Sequence, residues 1–149
     1  MRSVLLLLAL TLAQGVASGQ EKLSPSLYER LGRYDGIARI ADEYLKGVRA
    51  DPQFARFSGR GSDSLARARQ LLKDQWCALT GGPCVYIGRD MRTAHGGLGI
   101  TAADWSTSMK HVAAAVEKCH ISGTEKDEFL ALIESLKKHI VEKESTTRQ

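Results

Sequence analysis

The segment Met91-Arg92-Thr93-Ala94-His95-Gly96-Gly97-Leu98-Gly99 sets an imidazole at the end of a short helical run and follows it with three glycines in four residues. A neutral imidazole offers a lone pair to a metal ion, or takes up a proton near neutral pH. Glycines just after it let the backbone turn close to a flat partner. Spacing alone leaves two readings open: a ligand, or a histidine that caps the last carbonyls of its own helix. The remaining histidines, His111, His120 and His139, lie on or next to helices with long polar faces, where a solvated or satisfied ring is the ordinary outcome.

Other chemistries lack their residues. There is no phosphate-binding glycine loop, no nucleophile elbow and no HExxH. Asp42 and Glu43 adjoin on one helix surface and read as a solvated face. The three cysteines have no second Cys or His at zinc spacing. Cys77 and Cys84 flank the turn Thr80-Gly81-Gly82-Pro83, so a disulfide between them is expected; Cys119 falls on an apolar stripe and reads as a buried thiol. The formal charge of +4 is spread along the chain with acids between, which does not fit a nucleic-acid partner.

These groups must be positioned by helices. Residues 1–19 combine Arg2, a block of leucines and small residues before a cleavage point, the pattern of a secretory signal peptide; a retained membrane anchor is the other reading. Residues 20–149 then form one domain, with no stable membrane insertion once the signal is removed. Ser26 to Glu29 is a capping box, Gly32 ends that helix, and Asp35 is expected to cap the next. That second helix carries Ile37, Ile40, Ala41, Tyr44, Leu45 and Val48 at spacings of three and four. Phe54 and Phe57 fall in a loop. A third helix aligns Leu65, Ala68, Leu72, Trp76 and Leu79. Thr101 with Asp104 opens a helix bearing Trp105, Met109, Val112, Val116 and Cys119. A single last helix is expected through Phe129, Ile133, Leu136 and Ile140, with a frayed polar tail from Glu142. No segment alternates with period two, so the fold class is all-α, with two long helix pairs.

Large apolar side chains from three other segments, Phe57, Leu72, Trp76, Trp105 and Val112, could line one slot with His95. One axial histidine in an apolar slot is the usual way to hold a haem.

The ordered series Leu27-Tyr28-Glu29-Arg30-Leu31-Gly32, Val48-Arg49-Ala50-Asp51, Phe57, Gly81-Gly82-Pro83, Tyr86-x-Gly88-Arg89-x-Met91 and His95-x-Gly97-x-Gly99-Ile100-Thr101 resembles the truncated haemoglobins, the two-over-two globins, and within them the first group. The resemblance covers about residues 26–141 and implies a globin-like two-over-two helical sandwich binding haem b. It implies that His95 is the proximal iron ligand and that Phe57 stacks on the haem. Tyr86, Met91, Trp105 and Val112 fall at haem-lining positions, and Arg89 and Arg92 could pair with propionates. Arg33 departs from the family's opening glycine pair. On the distal side many relatives carry a tyrosine in the second helix and a glutamine in the third. Ungapped matching places Leu45 at the tyrosine position, with Tyr44 one residue before it, and Ala68 and Leu72 on the distal face of the third helix. The ligand pocket is then expected to be apolar, unless Tyr44 points inward; Gln75 is a fallback donor.

The function this implies is reversible binding of oxygen, carbon monoxide or nitric oxide. The alternatives are nitric oxide dioxygenase or peroxidase-like turnover, which needs a reductase, and a haem-free helical interaction module. Export implies a periplasmic or secreted bacterial protein.

Overall fold

A computed structural model describes residues 24–60 and 63–143; the expected signal peptide and the last residues of the tail lie outside them. Seven α-helices and one 3-10 segment follow in order among the described residues: α1 (Leu27–Arg30), α2 (Arg33–Ala50), the 3-10 segment Pro52–Phe57, α3 (Leu65–Leu79), α4 (Met91–His95), α5 (Ala102–Lys118), α6 (Gly123–Glu134) and α7 (Lys137–Ile140).

Local sequence sets most of the boundaries. The Ser26 side chain accepts from the Glu29 amide, and Glu29 accepts from the Ser26 amide at 3.0 Å, a complete capping box for α1. Thr101 and Asp104 do the same for α5. Ser64 caps α3 by accepting from the Arg67 amide. The expected start of α2 shifts: its N-cap is Gly32, in the left-handed region at φ 88°, which reverses the chain so abruptly that α2 begins at Arg33 and Asp35 falls in its first turn. The expected last helix divides into α6 and α7. Its ladder tightens at Leu136, whose amide donates to the Ile133 carbonyl, three residues back.

The helices form two pairs, α2 with α3 and α5 with α6, and α2 also packs along α5. The core between them is apolar. Ile37, Ile40 and Ala41 of α2 meet Val112, Ala115 and Val116 of α5, with Phe129 and Ile133 from α6. Each fully buried aliphatic or aromatic side chain stabilises the fold by about 1.5–3 kcal/mol. Trp76 brings α3 into this core, its ring centroid 5.2 Å from that of Phe129 in an edge contact. The outer end of the α3 stripe is different: Leu65 is exposed. No described helix is long and apolar enough to cross a membrane.

Cys77, buried at the end of α3, is joined to Cys84 by a disulfide with Cα atoms 5.8 Å apart. The bridge tethers the connection from α3 to α4. Cys119 differs from the buried thiol expected: it is half-buried at the C-cap of α5, and burial raises its pKa.

Candidate functional site

His95 is the last residue of α4, a helix too short to bury any residue of its own. Its position is therefore set at its two ends. At the start, Asp90 accepts from the Thr93 amide at 3.0 Å and from the Thr93 hydroxyl at 2.6 Å; these bonds hold the Asp90 carboxyl below the usual carboxylate range. One turn earlier the Tyr86 hydroxyl donates to the Arg89 carbonyl at 2.6 Å. At the far end, Gly97 and Gly99 adopt φ of 79° and 67°, a region that disfavours side-chain-bearing residues, and the chain turns away at once. The segment expected to fray contributes here. The amides of Glu142 and Lys143 donate to the Ile100 carbonyl, and the Glu142 carboxylate accepts from the Gly99 amide at 3.2 Å.

The tautomer of His95 follows from its partner. Nδ1 lies 2.9 Å from the Met91 carbonyl, which can only accept, so Nδ1 carries the proton. In the neutral ring the lone pair is then on Nε2, which bonds to no described residue. Burial lowers the imidazole pKa; the bond to Met91 opposes this, and the nearby Arg89 charge adds to it. The neutral form, with a lone pair free on Nε2, is favoured.

His95 is where two cavities meet. One, of about 210 Å³, lies between α3 and the α3–α4 connection and is lined by Ala68, Leu72, Gln75, Tyr86 and Met91. The other, of about 220 Å³, lies between α2, the 52–57 segment and α5, with Tyr44, Phe57, Leu98, Trp105 and Ser108 on its walls. Of the residues singled out from sequence, the structure therefore brings Tyr44, Phe57, Ala68, Leu72, Tyr86, Met91 and Trp105 to the two sides of His95.

Three others lie elsewhere. Trp76 and Val112 are 3% and 1% exposed and pack into the interhelical core, not the walls of the slot. Leu45 lines a separate groove with Leu65, Ala66 and Arg69 between α2 and α3. Successive helical residues point about 100° apart, so Tyr44 and Leu45 cannot both face the same cavity. It is Tyr44 that enters it, ring 5.4 Å from Trp76 and hydroxyl 2.9 Å from the Ser108 Oγ. The pocket is thus not apolar throughout. Burial raises the Tyr44 pKa, which the Ser108 bond only partly offsets, so the phenol stays protonated and able to donate.

Gln75, also in the first cavity, is turned to Met91, with Nε2 2.9 Å from Sδ. Arg89 is at the rim and pairs with Asp63 at 3.0 Å; Arg92 is exposed. Sequence reasoning missed Ser108, Ile100, Leu98 and the Asp104 contacts described below. Ser108 follows Tyr44 only through the packing of α2 on α5, which no local spacing records.

The donor set fits a porphyrin. One neutral imidazole offers a lone pair, walls of Phe57, Leu72, Leu98, Trp105 and Met91 suit a flat apolar ring, and Arg89 at the rim suits a carboxylate. Among the described residues no cluster of three His, Cys, Asp or Glu could hold a bare metal ion.

The helix order and a histidine-centred slot define a two-over-two globin. The profile of the bacterial-like globin family matches residues 26–142, and the chain belongs to that family. A group 1 truncated hemoglobin from Mycolicibacterium paratuberculosis is 26% identical over 111 residues, 74% of this chain and 80% of the relative. The fold resembles the truncated hemoglobin of Tetrahymena pyriformis in its Fe(III) form, with TM-score 0.72 and 22% identity over 78% of this chain and 98% of that one. It also resembles a group II truncated hemoglobin from Bacillus anthracis, with TM-score 0.75 and 19% identity over 85% and 98%. Membership makes this a haem-based gas-binding protein.

Proposed function

We infer that the chain is a group 1 truncated haemoglobin that holds haem b through His95 Nε2 and reversibly binds oxygen, carbon monoxide or nitric oxide. The observation that carries this is the free Nε2 of a neutral, half-buried histidine at the junction of two largely apolar cavities. Haem iron, when bound, supplies an open coordination position for a diatomic gas. This chain's residues do the rest. Met91 fixes the tautomer and ring plane of His95 through its carbonyl. Phe57, Leu72 and Trp105 exclude water and fill the space around a flat ring. The Tyr44 hydroxyl, anchored by Ser108, donates a hydrogen bond to a polar diatomic ligand and favours oxygen over carbon monoxide.

The polar Tyr44 also suits nitric oxide dioxygenase turnover, which requires an external reductase. Sustained conversion of nitric oxide to nitrate with a reductase present, beyond one equivalent, would establish it. The primary reading is tested by visible spectra of ferric, ferrous, oxygenated and carbonylated protein. A Soret band that is lost in His95→Ala while the helical circular dichroism persists supports it; an unchanged band in that variant rejects it.

We also propose export through residues 1–19, to the periplasm or medium. The Cys77–Cys84 disulfide supports this, because such bonds persist in oxidising compartments. Mass spectrometry of protein recovered from cell fractions tests it; an intact amino terminus on cytoplasmic protein rejects it.

A further inference from the structure

The 52–57 segment carries Phe54 and Phe57 to the cavity yet buries no residue of its own. Something other than apolar packing must keep it in place. At its start Asp51 accepts from the Gln53 amide at 2.9 Å and meets His111 Nε2 on α5 at 2.8 Å. The His111 ring fits there because residue 47 is glycine; a Cβ at that position would lie 2.8 Å from His111 Nδ1.

From near both ends the segment also reaches Asp104. This carboxylate is on a residue only 3% exposed, in the first turn of α5, and it gathers two other pieces of chain. Oδ1 accepts from Gln53 Nε2 at 3.0 Å, and Oδ2 accepts from Arg56 Nη2. Oδ2 also accepts from the Thr101 amide at 2.8 Å and the Thr101 hydroxyl at 2.7 Å. Thr101 is the end of the connection that leaves His95. Arg56 in turn lies 4.1 Å from the centroid of the Phe57 ring. One buried carboxylate therefore joins the exit of the His95 segment to the segment bearing Phe57. It also lines the same cavity as both residues.

We propose that Asp104 is a positioning residue for the prosthetic group: by clipping Gln53 and Arg56 to the first turn of α5, it fixes Phe57 at the His95 cavity and slows release of the bound group. This rests on the reading that His95 holds haem. A capping box needs only the Thr101 contacts; the two bonds to the 52–57 segment go beyond it. Hydrogen bonds donated to a buried carboxylate are worth more than neutral ones, so an amide should replace it poorly.

The experiment uses the haem-loaded protein and four variants, Asp104→Asn, Gln53→Ala/Arg56→Gln, Phe57→Ala and Asp104→Asn/Phe57→Ala. Haem transfer to excess apomyoglobin gives the release rate, and hydrogen exchange of residues 52–57 in haem-free protein reads the clip. The expected result is faster exchange confined to 52–57 and about tenfold faster release in Asp104→Asn. Gln53→Ala/Arg56→Gln should reproduce both with the Thr101 box intact, which keeps the test valid if Asp104→Asn does not fold. Phe57→Ala alone should speed release, and adding Asp104→Asn to it should add little. General destabilisation of α5 would instead give additive effects, and that result overturns the proposal. So does unchanged release in Gln53→Ala/Arg56→Gln. Failure of the haem reading looks different: wild-type protein shows no His95-dependent Soret band, and the exchange data still decide whether the clip exists.

Discussion

The α2–α5 core and the walls of the His95 slot are built on different principles. In the core, Ile37, Ile40, Val112, Val116 and Phe129 are essentially inaccessible and belong to one apolar cluster. In the slot, two of the wall-forming pieces, α4 and the 52–57 segment, bury nothing by themselves. They are held by caps, by a carboxylate clip, by a disulfide-tethered connection and by the segment at Glu142 and Lys143 that follows α7. The core packs through side chains contributed by the helices themselves. The slot sets two short pinned segments against the faces of α2, α3 and α5 around a space that suits something flat.

The sharpest way to break this contrast is at its centre. His95→Ala should abolish the histidine-bound haem spectrum while circular dichroism of the haem-free protein stays unchanged, because α4 contributes no core residue. Phe129→Ala should do the reverse. It should cost about 3–5 kcal/mol in urea unfolding of the haem-free protein, and leave the Soret position of the remaining folded protein unaltered. A large spectral change in that variant would show that core and slot are not separable.

Reducing the Cys77–Cys84 bridge should cost about 2–3 kcal/mol by the loop-closure argument, measured as the unfolding difference between wild type and Cys77→Ser/Cys84→Ser. Haem release should accelerate as well, because the bridge tethers the connection bearing Tyr86. Tyr44→Phe should leave haem uptake intact but weaken oxygen affinity by about tenfold, the equivalent of one lost hydrogen bond. Carbon monoxide affinity should change much less, and equal loss of both gases would show that the hydroxyl donates to neither.

The smallest effect concerns acid. Burial pushes the Asp104 pKa up, but the bonds from Gln53, Thr101 and Arg56 outweigh it and hold the carboxyl below its ordinary value. Its contribution to stability is therefore present above the unfolded carboxylate pKa of about 3.9 and is lost as pH falls through the lower folded value. Urea titrations of haem-free protein across that window should show a steeper loss in wild type than in Asp104→Asn; parallel curves would show that the bonds carry no net charge effect.

What was legible in the sequence was local. The capping boxes at Ser26 and Thr101 are read within one turn, and the glycines after His95 announce the reversal seen at Gly97 and Gly99. The heme-binding family was carried by a series of short motifs in order, and the helix pairs by apolar spacing. The rest depends on register and long-range contact. A one-residue slip exchanged Tyr44 for Leu45, because neighbouring helical positions face different sides. Trp76 and Val112 carry the same apolar signature whether they line a slot or fill a core. The Asp104 contacts to Gln53 and Arg56 cross 51 and 48 positions of sequence, where no periodicity operates. Thr101 and Asp104 were recognisable as a cap, but their second use was not.

The central claim is tested most directly by resonance Raman spectroscopy of the ferrous, gas-free protein. An iron–nitrogen stretching band that shifts on 15N-histidine labelling and disappears in His95→Ala is the expected result. A band that survives the substitution, or an iron bound through another side chain, would contradict the account.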